Sequence, residues 1–324
     1  MKRDGDTVDV VGIGLNATDT VIRLPRFPAF NSKTRVVSAE RQAGGQVASA
    51  MVACRRWGLS ARYVGSIGDD EAGEFQRQEL QREGVEAHWL VAPGARSQFA
   101  YILVDDPTGE RTILWGRDAA LEIRPEQIER GWIEGARLLH LDGHDAAGVA
   151  EAARWARAAG IPVTADVDNV YPGAESLLES VDHLLASSEF PSRLLGEEDP
   201  LRALPELRRR FGCRLTAVTL GERGALAWDG TEFHYAPAFL VEAVDTTGAG
   251  DIFHGGYIYG LLTGWDVAHA LEFACAAAGL NCTRVGARGG IFPIDEILRL
   301  ARTAPRREAI YDSAALRRAE ARSR

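Results

Sequence analysis

Between residues 245 and 251 the chain reads Asp245-Thr246-Thr247-Gly248-Ala249-Gly250-Asp251, and a strongly helical stretch, about 249–263, follows directly. Gly-Ala-Gly at a helix start lets successive backbone N–H groups converge on one point, and the helix dipole adds partial positive charge there. Gly248, Ala249 and Gly250 therefore predict an anion hole. Asp251 falls in the first turn, where a carboxylate also serves as a cap. Read alone, the segment is equally a glycine-rich loop with a capping aspartate.

Other chemistries lack their supporting residues. Gly12-Ile13-Gly14-Leu15-Asn16-Ala17 follows a strand and fits a dinucleotide fingerprint. The next residues, Thr18-Asp19-Thr20-Val21-Ile22, are β-branched and open no helix to seat a pyrophosphate. No G-x-x-x-x-G-K-[ST], H-E-x-x-H or G-x-S-x-G occurs. Cys54, Cys213, Cys275 and Cys282 form no C-x-x-C pair, and His144, His183 and His254 lie apart with no triad partner legible.

The elements that must carry these residues show in the pattern. Residues 8–14 read as a buried strand ending in a glycine turn, and 16–43 as short exposed strands. Val47, Ala48, Met51, Val52 and Trp57 have helical spacing, closed by Gly58. A strand at 62–65 precedes a helix capped by Asp69 or Asp70 that runs to about Glu83. Two β-rich arms around Asp106-Pro107-Thr108-Gly109-Glu110 make 97–117 a hairpin, expected to pair with 16–43 as a small separate sheet. Strands at 138–141, 162–167, 183–186 and 215–220 alternate with helices, which implies a parallel sheet covered on both faces. A hairpin at 225–235 interrupts the alternation, and helices at about 249–263 and 266–282 follow.

The composition fits this reading: of 324 residues, 46% are hydrophobic and 26% charged, ordinary values for a globular enzyme. Basic and acidic side chains balance at 37 − 46 = −9, which argues against a primary nucleic-acid binder. The longest uncharged stretches fall short of the ~20 apolar residues that cross a bilayer. Asp4, Asp6 and Asp9 after Lys2-Arg3 are wrong for a secretory signal, so the cytoplasm is the expected location.

The motifs also carry a resemblance. Gly44-Gly45-Gln46-Val47-Ala48-Ser49, with Val64-Gly65-Ser66-Ile67-Gly68-Asp69-Asp70-Glu71-Ala72-Gly73, resembles the N-terminal signature of the ribokinase-like carbohydrate kinases, the PfkB family. Residues 244–256 resemble the C-terminal signature, and 218–224 the T-L-G-x-x-G segment on the nucleotide side. All three stand in family order, over roughly 8–300. The resemblance implies an α/β fold: a ribokinase-like Rossmann-type sandwich with a mostly parallel central sheet flanked by helices, plus a small β-sheet lid. It implies a kinase domain over 1–302, with the lid built from 16–43 and 97–117, and a basic C-terminal tail over 303–324. It implies ATP-dependent transfer of the γ-phosphoryl group to a sugar hydroxyl, with Mg²⁺ and, in some relatives, K⁺. Sugar and ATP are then the partners, with no nucleic acid or membrane, and the lid is expected to clasp a second copy as a homodimer.

Residue by residue, the resemblance makes Asp251 the catalytic base beside the anion hole of Gly248, Ala249 and Gly250. Asp19 is expected to bind sugar hydroxyls, with Asn16 from the same loop. The Gly44-Gly45-Gln46 turn brings backbone to the sugar, and Ser49 stands where many relatives have Asn. Arg111 on the lid and Asp142 after the 138–141 strand complete the substrate set. Thr219, Gly221 and Gly224 would face adenosine, with Gly279, Asn281 and Cys282 walling the purine. Many relatives organise magnesium-bound water with N-x-x-E, but here the region is Ser187-Ser188-Glu189-Phe190, which leaves Glu189 as the metal-side carboxylate. Asp245 with residues 286–289 is the expected monovalent-cation site.

Within the family, residues 109–114 and 274–282 resemble ketohexokinases. Phe253-His254-Gly255 and Cys282-Thr283-Arg284 resemble sulfofructose kinases. Both imply a ketose or ketose derivative. The alternatives are another small polyol or nucleoside (ribose, 2-keto-3-deoxygluconate, adenosine) and a non-catalytic sugar or nucleotide sensor. A sensor would be free to lose Asp251 or Gly-Ala-Gly, and this chain keeps both.

Overall fold

A computed structural model describes residues 7–323. In chain order the strands are β1 (Val8–Ile13), β2 (Ala17–Leu24), β3 (Ser38–Gly44), β4 (Ala61–Gly68), β5 (Glu86–Ala92), β6 (Phe99–Asp105), β7 (Arg111–Gly116), β8 (Ala136–Asp142), β9 (Val163–Val167), β10 (His183–Ser187), β11 (Leu215–Thr219), β12 (Ala225–Trp228) and β13 (Phe233–Ala236). The α-helices are α1 (Gln46–Arg56), α2 (Glu71–Arg82), α3 (Ala146–Ala158), α4 (Ala174–Leu178), α5 (Phe190–Leu195), α6 (Pro200–Phe211), α7 (Ala249–Thr263), α8 (Val267–Asn281), α9 (Ile294–Thr303) and α10 (Ser313–Ser323).

Nine strands make the main sheet, in the order β13-β12-β11-β10-β9-β8-β1-β4-β5. From β11 through β5 each pairing is parallel, and β12 and β13 fold back antiparallel. The interior strands are apolar on both faces because helices cover both. In β1, Val11 and Ile13 enter the core under α3, α4 and α6, while Val10 enters the core under α1, α7 and α8. No helix among the described residues is long and apolar enough to cross a membrane.

Asp70 caps α2 by accepting from the Gly73 N–H at 2.9 Å. After Gly14 the chain enters β2 and not a helix. Gly12 is instead a packing residue, since a Cβ there would fall 2.6 Å from Val47 and 2.7 Å from Met51 on α1. The edge strand β5 escapes the sequence pattern because it alternates poorly, with Glu86 and Val91 both exposed. Residues 313–323 form a helix against the body: Leu316 and Ala319 pack on the core, and Glu320 accepts from the Phe233 N–H at 3.0 Å.

The second sheet has the order β3-β2-β6-β7. The two β-rich segments do pair with each other, β2 and β6 running parallel and β3 and β7 antiparallel on the outside. Its period of two sorts the side chains. Ala17 and Asp19 on β2, Ala100 and Ile102 on β6, and Arg111, Ile113 and Trp115 on β7 all face one cleft.

Candidate active site

Helix α7 begins inside that cleft. Gly248 caps it with φ 73°, and a Cβ there would lie 2.3 Å from the Ala287 carbonyl oxygen, so only glycine fits. A Cβ on Gly250 would meet nothing within 4 Å, which means that open cleft lies over it. The first N–H groups of a helix have no intrahelical partner; here that of Ala249 turns back to the Thr246 carbonyl at 3.3 Å, while Gly250 and Asp251 line the open space.

Two buried side chains fix this loop. The Asp245 carboxylate accepts from the Thr247 N–H at 2.9 Å, the Thr247 hydroxyl at 2.7 Å and the Gly286 N–H at 2.8 Å. Asn281 donates to the carbonyls of Thr247 at 3.2 Å and Ala287 at 3.1 Å, and accepts from the Gly290 N–H at 3.0 Å. Residues 286–290 thereby form the support beneath the anion hole.

The cleft encloses about 840 Å³ between the lid and the carboxyl ends of the main sheet. At one end lie Asp19, Gly45, Gln46 and Gln98, with an aromatic wall of Trp115, His144 and Tyr171. The His144 ring sits 4.3 Å from Tyr171 and 6.1 Å, edge-on, from Trp115. Burial and nearby Arg117 hold His144 down to about 4, so it is neutral. At the other end Thr219, Gly221 and Gly224 face Ala278, Gly279 and Cys282, with Phe239 and Val241 between, a slot suited to a flat apolar base. Gly224 has φ 96°, and a Cβ there would come 2.0 Å from the Ala236 carbonyl.

Charge is concentrated under the middle of the cleft. Among the described residues, neither the Asp19 nor the Asp251 carboxylate accepts a hydrogen bond from the chain, though Asp19 is buried. Burial first, and then the Asp166 charge, pushes Asp251 up to about 7, against the pull of His254 and Arg288. Burial lifts Asp19 to about 6, with Arg288 opposing. Burial would also raise Asp166, but its 3.1 Å pairing with His254 Nε2 wins and holds it below the ordinary carboxylate value. Arg288 is buried beside them, donating from Nε to Ser49 Oγ at 3.1 Å and from Nη2 to the Gly44 carbonyl at 2.7 Å.

The expected residues therefore divide. Asp19, Gly45, Gln46 and Arg111 line the cleft with Gly248, Ala249, Gly250 and Asp251, and so do Thr219, Gly221, Gly224, Gly279 and Cys282. Arg111 reaches from the lid to the Thr246 hydroxyl. Others stand one layer behind. Asn16 donates to the Tyr63 hydroxyl at 2.5 Å and the Ser66 carbonyl at 3.2 Å. Asp142 accepts from the Leu15 N–H at 2.6 Å and the His144 N–H at 3.1 Å, and burial pushes it up to about 8. Gly44 leaves room for Asp19, whose Oδ2 would sit 2.0 Å from an added Cβ. Ser49 is taken by Arg288, and Asn281 and Asp245 are absorbed in bracing the loop.

Glu189 is displaced from the role expected of it: it pairs with Arg193 on its own helix turn and lies outside the cleft. The next residue, Phe190, is fully buried in the main core, which turns Glu189 outward. Ser187 does line the cleft, and so does Asp168, whose buried Oδ1 has no partner among the described residues. Arg288, Asp166, His254, Gln98 and the aromatic wall were not anticipated. His254 had a legible signal, three residues after Asp251 on one helix face. Arg288 had none.

The two glycines make separable demands. Gly248→Ala should lower the melting temperature by several degrees, since its φ and the Ala287 carbonyl both exclude a side chain. Gly250→Ala should melt like the parent yet lose activity on the order of 10–10²-fold, because only a ligand needs that space. Scanning calorimetry beside a kinase assay checks both.

Comparison with known proteins follows the same geometry. The sequence matches the pfkB family carbohydrate kinase over residues 8–294. It is 33% identical over 288 residues to the ATP-dependent ribose-1-phosphate kinase of Halopiger xanaduensis, covering 87% of this chain and 94% of that one. The fold superposes on a candidate ribokinase from Agrobacterium tumefaciens with TM-score 0.85 and 30% identity, over 91% of this chain and 98% of that one. It also superposes on Arabidopsis thaliana ribokinase complexed with ribose and ATP, with TM-score 0.77 and 22% identity, over 92% and 99%. The chain belongs to the pfkB family of carbohydrate kinases, phosphotransferases acting on sugar hydroxyls.

Proposed function

We propose that Asp251 is the general base of an ATP-dependent sugar kinase whose acceptor lies between Asp19 and the aromatic wall. One observation carries this reading. Two carboxylates without protein partners, Asp19 and Asp251, share one cleft with the open N-terminus of α7. Gln46 Oε1 and Gln98 Oε1 are also buried without partners among the described residues. Such a set of unpaired acceptors asks for a ligand rich in O–H donors, which is what a sugar is.

The step follows from position. The acceptor hydroxyl oxygen bonds to the γ-phosphorus, the bond from that phosphorus to the ADP oxygen breaks, and the hydroxyl proton passes to the Asp251 carboxylate. The N–H groups at 248–251 stabilise the negative charge on the phosphoryl oxygens. Closure of the lid over the sugar excludes water. The unpartnered Asp168 Oδ1 is the kind of hard oxygen donor that suits magnesium. Bound there with the phosphates, Mg²⁺ would neutralise phosphate charge.

The acceptor we favour is a ketose or ketose derivative, on the strength of residues 109–114, 253–255 and 274–284. The likeness to a ribose-1-phosphate kinase favours a second reading, a phosphorylated aldopentose. Comparing kcat/KM for fructose, a phosphorylated or sulfonated ketose, ribose, ribose 1-phosphate and adenosine separates them. A lead of more than about tenfold for ribose, ribose 1-phosphate or adenosine would overturn the ketose reading.

A base must be deprotonated to act, so kcat/KM should rise with pH through a limb near 7 and fall about tenfold per unit below it. Asp251→Asn should keep ATP affinity by calorimetry but lower kcat by ~10²–10⁴-fold. A near-normal kcat would sink the assignment.

The lid is also proposed to pair two copies. Tyr101 and Leu114 are cross-strand neighbours exposed on the side away from the cleft, and Phe27 and Phe30, which follow β2, are exposed too. Light scattering should give a dimer, and Tyr101→Glu with Leu114→Glu a monomer.

A further inference from the structure

Arg288 has no assigned part in the site, yet its surroundings are those of a built component. Its side chain is buried, and the 286–290 loop that carries it is the support of the anion hole. From there it crosses to the sugar side, holding the Gly44 carbonyl at the end of lid strand β3 and the Ser49 hydroxyl on α1. Gly44 itself packs against the Asp19 carboxylate. The backbone of Arg288 is held in turn, its carbonyl accepting from Arg56 Nη1 at 3.3 Å.

We propose that Arg288 is a positioning residue of the phosphoryl-transfer site, one that keeps Asp19 and Asp251 ionised together and ties the root of the lid to the loop beneath the anion hole. The proposal rests on the reading of Asp251 as base.

The charges around it support this assignment. Asp251 on α7 is faced by Asp166 from β9, His254 from its own helix, Asp19 from β2 and Arg288. Asp19 is faced by Arg288 and Asp245. Arg288 answers to Asp19 and Asp251 and, more weakly, to Glu83 just after α2 and Glu79 on it. His254, paired with Asp166, pulls on Asp251 more strongly than Arg288 does, but of the two only Arg288 bears on both Asp251 and Asp19. Two like charges confined in one buried site resist joint ionisation unless a cation stands with them. The planar guanidinium suits the task, because it bonds Ser49 and the carbonyl of Gly44, the residue packed against the Asp19 carboxylate. A serine at position 49 leaves a short hydroxyl for Nε to reach. Any shift of the 286–290 loop is then felt at the lid root, and any shift of the lid root at the anion hole.

The test is the pH dependence of kcat/KM with fructose and with ribose 1-phosphate as acceptors, for the parent, Arg288→Gln, Arg288→Lys, Ser49→Ala and Asp251→Asn. Arg288→Gln should move the acid limb upward and raise the sugar KM, with the ATP KM little changed. Arg288→Lys should leave the limb in place, since the charge survives, but still raise the sugar KM. A folded Arg288→Gln with an unmoved limb and an unchanged sugar KM overturns the proposal. Should Arg288→Gln fail to fold, Ser49→Ala and Arg288→Lys decide: a parental sugar KM in both overturns it. An Asp251→Asn enzyme of near-normal kcat overturns the base assignment, and this inference with it. An inactive Asp251→Asn beside a parent-like Arg288→Gln overturns this inference alone.

Discussion

The N-terminus of α7 must open into a cleft and not onto solvent or into core. Everything about the site depends on that constraint, because the unpaired N–H groups of a helix start are useful only where a ligand can reach them. The fold meets it by spending side chains that might otherwise bind ligand. Asp245 and Asn281 are wholly engaged in holding residues 246–248 against residues 286–290. Gly248 then turns left-handed in the one gap left above the Ala287 carbonyl.

A second consequence is electrostatic. A site built for phosphoryl transfer needs a base and a sugar-holding carboxylate close together, and burial makes each more costly to ionise. The structure sets His254 Nε2 3.1 Å from Asp166, and the Arg288 charge bears on both Asp19 and Asp251. What remains is Asp251, raised to about 7 and so suited to the base role proposed for it.

The lid divides the labour. Its cleft-facing residues include both the Asp19 carboxylate and the Trp115 ring, while Arg111 connects its far strand to Thr246 just before α7. The end proposed for the nucleotide is built outside the lid. Its wall joins glycines to apolar residues such as Phe239 and Val241, which belong to or pack on the main core.

How much of this the sequence alone contained depends on distance along the chain. The placement of Gly248–Asp251 at a helix start was legible because the helix start and its glycines are contiguous. The parallel sheet and the two-part lid were legible because both period and turn residues are local signals. Strand β5 was not, since an edge strand lacks the two-sided burial that writes an apolar run. Nor was the sorting of Asn16, Ser49, Asp142, Asn281 and Asp245 into a supporting layer, or the displacement of Glu189 by Phe190 at the next position. A polar residue near a ligand and one a single layer behind have the same letter. Which one binds is decided by partners far away in sequence, such as Tyr63 for Asn16 and Leu15 for Asp142. Arg288 is the extreme case. It reaches Ser49 and Gly44 from more than two hundred residues away, so no local pattern marks it, and only the packing of the 286–290 loop against the lid root gives it a place.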